Sequence, residues 1–245
     1  MTRSRTTLAA LFAGLFLTGV PGDCWGDIEI GSLSHTGLTA TSDSRGATCG
    51  SLLWHSDGTW ENGIAYSATW PRYYGAFAEC YSGTGEVCSV RAAFACYWEF
   101  RGSKADILVW GDAGGIPGEV LCLVPDWQPD FVPQWPEVRV FDIPVTGCCV
   151  DGPFWVGFWG NWIGGGPEDF YILIDNSPGS TGCSYTNPPP EWGFPEGWQP
   201  ATILGVPLKN LGLGVELREC LPVGAERSTW GRVKSLYRGS GAVPR

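Results

Sequence analysis

Between residues 88 and 98 the chain sets Cys88, Val90, Ala92, Phe94, Cys96 and Trp98 on every second position, with Ser89, Arg91 and Tyr97 among the residues between. A period of two sends alternate side chains to opposite faces of an extended strand, so the segment reads as a strand with one face in a core. That register turns Cys88 and Cys96 inward. Runs of strand length recur at 107–110, 119–124, 138–143, 154–159 and 170–175. The last, 211–219, alternates Leu211, Leu213, Val215 and Leu217 with Gly212, Gly214, Glu216 and Arg218. Residues 27–31 and 48–54 add two shorter runs, the second leading into the turn sequence Ser56-Asp57-Gly58-Thr59. The 245 residues include 36 Gly and 19 Pro, which punctuate the runs and interrupt helices. Short strands separated by turns, with no helical pattern between them, predict an all-β fold. The expected form is an antiparallel two-sheet β-sandwich of jelly-roll or immunoglobulin-like type.

The cysteines and the start of the chain point to export. Arg3 and Arg5 precede the uncharged apolar residues 8–20, the order of a secretory signal, and that stretch is shorter than the roughly 20 residues a bilayer crossing needs. Cleavage is expected after Gly22. Asp23 stands where a lipidation signal requires a small residue, which argues against a lipid on Cys24. Cys24, Cys49, Cys80, Cys88, Cys96, Cys122, Cys148, Cys149, Cys183 and Cys220 all follow that point. An even number of cysteines in an exported chain predicts disulfides that staple the fold. Zinc-type Cys-x-x-Cys spacing is missing, and the histidines are His35 and His55. The adjacent Cys148 and Cys149 are expected to reach different partners on opposite faces of one strand. The organisation read from these signals is a signal peptide at 1–22, one domain at 23–221 and a tail at 222–245.

Charge divides along the same boundaries. Residues 23–221 hold 24 Asp plus Glu against 8 Lys plus Arg, whereas 222–245 hold 1 against 5. An acidic body lacks the basic footprint that nucleic acid and anionic membranes require, so neither is an expected partner of the domain. In the basic tail, Trp230, Val233, Leu236 and Tyr237 fall at helical spacing, which would form a short amphipathic helix.

The candidates for catalysis fail on geometry. His55, Ser56 and Asp57 are consecutive, so they cannot converge as base, nucleophile and orienting acid. The carboxylate pairs Asp27/Glu29, Asp126/Asp130 and Glu168/Asp169 are the candidates for glycoside hydrolysis, and only Asp27 and Glu29 share a strand face. No cofactor is expected: the turns containing Asp57 and Asp112 offer hard oxygen ligands and are the calcium candidates, but the same residues serve first as ordinary turn acceptors. Fourteen tryptophans are the strongest compositional anomaly. Trp127 and Trp135 lie in one Pro-rich connection, and Trp192, Phe194 and Trp198 in another. Rings on stiff loops can stack on sugars or anchor a protein interface, and these five are the predicted binding residues.

The segment Trp54-His55-Ser56-Asp57-Gly58-Thr59-Trp60-Glu61-Asn62-Gly63 and the hairpin around Trp110, Asp112, Gly114, Gly115, Pro117 and Gly118 resemble secreted β-sandwich modules of uncultivated bacteria. The tail, with Thr229, Trp230, Gly231, Val233, Lys234, Leu236, Tyr237 and Arg238, resembles a short ending found on otherwise different exported bacterial proteins. The first resemblance implies export and supplies no catalytic residues. The second implies a sorting or attachment signal. The expected function is a non-catalytic structural or adhesive module at the cell surface, meeting a protein or glycan. Carbohydrate binding through the loop aromatics is the second expectation, and a glycoside hydrolase the third.

Overall fold

The alternating segment at 88–96 belongs to a much longer strand. In the computed structural model the described residues are 30–31, 49–66, 73–96, 100, 102–162, 170–177, 182–188 and 193–220. The leader 1–22, Cys24, Asp27, Glu29, His35, Trp98, Glu168, Asp169, Trp192 and the tail 222–245 lie outside them. Two strands of 24 residues, β4 (Tyr73–Cys96) and β7 (Arg139–Trp162), pair antiparallel from Tyr73↔Trp162 to Phe94↔Arg139. At about 3.3 Å per residue, a straight strand would hold Phe77 and Phe94 about 56 Å apart. Yet the ring of Phe158, the register partner of Phe77, lies 5.4 Å from that of Phe94. The ribbon is therefore folded in two over a common core.

Mid-ribbon, Gly83 faces Gly152. Gly152 has φ of 88°, a conformation that side chains with a Cβ rarely adopt. A register shift follows between Val87 and Ser89, and it exchanges the faces of β4. Phe77 and Tyr81 point into the main core before the shift, and Val90, Ala92, Phe94 and Cys96 after it. Cys88 does not join Cys96 in that core. It is buried at the shift, where it bridges to Cys49.

The other strands add to one half of the ribbon or the other. β9 (Tyr185–Asn187) pairs with residues 76–78 of β4 and with β10 (Gln199–Pro200), while β5 (Lys104–Asp112) pairs with residues 154–161 of β7 and forms a hairpin with β6 (Pro117–Trp127). On the other half, β12 (Leu213–Arg218) lies between β4 and β2 (Ser51–Trp54). There β8 (Phe170–Asp175) links residues 94–96 of β4 to β3 (Asn62–Ile64) and β11 (Asn210–Leu211), and β1 (Ile30–Gly31) continues past β3. All these ladders are antiparallel, and among the described residues the one helical turn is Ala201–Leu204. The chain is all-β and antiparallel, as its patterning predicts. Because β4 and β7 belong to both halves, hydrogen bonding unites the layers in a single 12-stranded sheet.

Phe77, Phe94, Phe154, Phe158 and Phe170 fill the space between the halves, each fully buried. Smaller clusters cover the outer faces: Trp60, Ala93, Val138 and Leu173 on one half, and Ala78, Leu108, Trp110 and Trp155 on the other. Among the described residues four disulfides, Cys49–Cys88, Cys80–Cys183, Cys122–Cys148 and Cys149–Cys220, tie the layers and edges. The adjacent Cys148 and Cys149 go to different partners, Cys122 of β6 and Cys220 beyond β12, as opposite faces of one strand require.

Candidate functional site: a buried glutamate beside an aromatic pocket

Glu79 lies on β4 between the core residues Phe77 and Tyr81 and has no exposed surface. A carboxylate withdrawn from water is stable only if its oxygens are satisfied. Three segments converge to do this. Oε1 accepts from the Cys183 N–H at 2.9 Å and lies 3.1 Å from Nδ1 of His55. Oε2 accepts from the Ser184 hydroxyl at 2.5 Å and from the Leu211 N–H at 3.2 Å. Asn210 donates to the carbonyl of His55 at 3.1 Å, and the imidazole stacks on Tyr81 with 4.5 Å between ring centroids. Burial, reinforced by the charge of Glu79, pushes the Tyr81 phenol well above its ordinary range, so it stays a donor, to the Leu213 carbonyl at 2.7 Å.

Beside this pair opens a pocket of about 550 Å³. Tyr81, Trp155 and Tyr185 supply aromatic lining, His55, Ser82 and Asp112 supply polar groups, and the Cys80–Cys183 bridge forms part of the wall. Trp155 and Tyr185 meet edge to face at 5.0 Å. The Trp155 indole donates to Oδ1 of Asp112 at 3.0 Å. That bond first, and then the N–H groups of Gly115 and Gly114, hold the Asp112 carboxyl below its usual range. Such a surface pairs flat apolar rings with hydroxyl, imidazole and carboxylate groups, a combination suited to polyhydroxylated molecules.

The loop aromatics predicted from sequence do not gather into one platform. Trp127 packs on Phe94 and Phe141, at 6.0 and 5.3 Å, and the half-buried Phe194 rests on the same main core. Trp135 joins the outer cluster of Trp60, Val138 and Leu173. Trp198 meets Trp110 at 5.2 Å and Trp159 at 6.5 Å, and so shares the aromatic face that carries Trp155 and Tyr185 at the pocket.

The two calcium candidates act as turn acceptors. Oδ1 of Asp57 accepts from the hydroxyl of Thr59 at 2.6 Å and from its N–H at 2.8 Å, and these bonds, the hydroxyl's first, lower its pKa. Asp112 accepts from the N–H groups of Gly114 and Gly115, each at 3.1 Å. Ser56 accepts from the Gly58 N–H, while Asp126 pairs with Lys104 at 3.6 Å and Asp130 with Arg139 at 2.8 Å.

Sequence reasoning overlooked Glu79, Ser184 and the role of Cys183, which are brought together from positions more than 100 residues apart. A signal for Glu79 was present, since it is the lone charge in the segment 73–85. No protein-family model, curated protein or solved structure matches the chain.

Proposed function

We propose that the protein is an exported, non-catalytic binding module that takes a saccharide-class ligand in the pocket beside Glu79. The observation that carries this reading is the meeting of the Trp155–Tyr185 ring pair with Ser82, Asp112 and His55 around one open space. Sugar rings present C–H faces that stack on aromatic rings and hydroxyls that bond to imidazole, carboxylate and hydroxyl groups. Four disulfides fit an oxidising, extracellular setting, and no described helix is long and apolar enough to cross a membrane. A glycan at a cell surface is the partner this combination suits.

The test is a glycan array probed with the fully oxidised protein, followed by calorimetric titration of the strongest ligand. Ser82→Ala and Tyr185→Ala are each expected to weaken binding about tenfold, equal to about 1.4 kcal/mol. The ligand should be recovered uncleaved after incubation. Failure to bind any glycan, affinity unchanged by Tyr185→Ala, or release of smaller sugars would overturn the reading.

A further inference from the structure

We propose that opening the Cys80–Cys183 disulfide turns the wall of the pocket into a zinc site, with His55, Glu79 and the released Cys183 thiolate as ligands. This goes beyond saccharide binding and does not depend on it. One nitrogen of His55, one oxygen of Glu79 and the sulfur of Cys183 lie within 4.8 Å of one another. Ligands of a tetrahedral zinc ion, at about 2.0–2.3 Å from the metal, stand about 3.3–3.8 Å apart. The three donors are thus within about 1 Å of a coordinating arrangement, and one nitrogen, one oxygen and one thiolate form a donor set that zinc accepts. They come from the segment after β2, from β4 and from the segment before β9, and Glu79 already contacts the His55 ring and the backbone N–H of Cys183. The fourth position would face the pocket that His55 and Cys183 line.

The disulfide now occupies the sulfur that zinc needs, so the site depends on redox state. Cys80 and Cys183 are only half-buried and both line the pocket, which gives a thiol reductant access. A reductant thiolate attacks one sulfur and expels the other as a thiolate. A second reductant thiol then resolves the mixed disulfide, so two electrons pass to the protein and the reductant becomes a disulfide. Zinc binding displaces the remaining proton of the Cys183 thiol. The other donor group, Cys49, Cys88 and Glu216, lacks these features: it contains no imidazole, and the Arg91 guanidinium stands 3.4 Å from Glu216, where it repels a cation.

Cys80→Ser frees the Cys183 thiol without reductant and leaves the other bridges intact. Cobalt(II), a spectroscopic stand-in for zinc, is titrated into the full-length oxidised protein and into this variant. The variant is expected to bind one equivalent with thiolate-to-cobalt charge-transfer absorption that zinc abolishes, and the oxidised protein to show none. Outer contacts to a metal ligand are worth 10–100-fold in affinity, so removing a ligand by His55→Ala should weaken binding about 100-fold or more. Three results would overturn the proposal: a folded variant without thiolate absorption, affinity unchanged by His55→Ala, or a variant that zinc cannot restore to native near-ultraviolet dichroism.

Discussion

At the scale of single residues, Glu79 shows how a polar group survives inside an apolar ribbon. Its two oxygens receive the Cys183 and Leu211 N–H groups, the Ser184 hydroxyl and the His55 ring, so its burial is matched by partners from three segments. Truncation would orphan the donors on those segments, each at about 1–3 kcal/mol. Glu79→Ala is therefore expected to destabilise the protein by about 3 kcal/mol or more, with Glu79→Gln costing less because its carbonyl still accepts. Urea unfolding of the oxidised protein measures both, and a loss below about 1 kcal/mol for Glu79→Ala would contradict this role. The residue was visible in the sequence as the lone charge in the segment 73–85. Its partners were not, because no local pattern joins Glu79 to Cys183, Ser184 or Leu211.

At the scale of elements, the β4–β7 ribbon depends on positions that admit no side chain. Gly157 lies on β7 between β4 and β5, and a Cβ there would stand 2.0 Å from the carbonyl oxygen of Phe77. Relief requires moving one central strand of a packed sheet. Gly157→Ala should cost about 3 kcal/mol, at the upper end for overpacking, and lower the thermal midpoint. An unchanged midpoint would show that the strands yield at little cost. The apolar runs at 107–110, 119–124, 154–159 and 170–175 all fall on strands. Alternation misplaced Cys88, because the register shift between Val87 and Ser89 changes the phase inside a run that looks continuous. The Pro-rich loops were legible as stiff and aromatic. Their destinations were not, since Trp127, Trp135 and Trp198 each found a different apolar cluster to cover.

At the scale of the whole molecule, the four disulfides among the described residues close the bent ribbon. Peptide mapping without reduction should recover Cys49–Cys88, Cys80–Cys183, Cys122–Cys148 and Cys149–Cys220. A peptide holding a Cys148–Cys149 bridge would contradict the pairing. The bridges span from 26 to 103 residues, for which loop-closure entropy predicts about 3–5 kcal/mol each. The sequence by itself determined the all-β class, the antiparallel strands and the presence of disulfides, because period two, turn residues and cysteine number act locally or by composition. Only the tertiary structure decided the folding of the β4–β7 ribbon over its core, the choice of cysteine partners and the meeting of His55, Glu79 and Cys183. Those depend on which distant segments a folded ribbon brings within bonding distance, and spacing along the chain does not encode that distance.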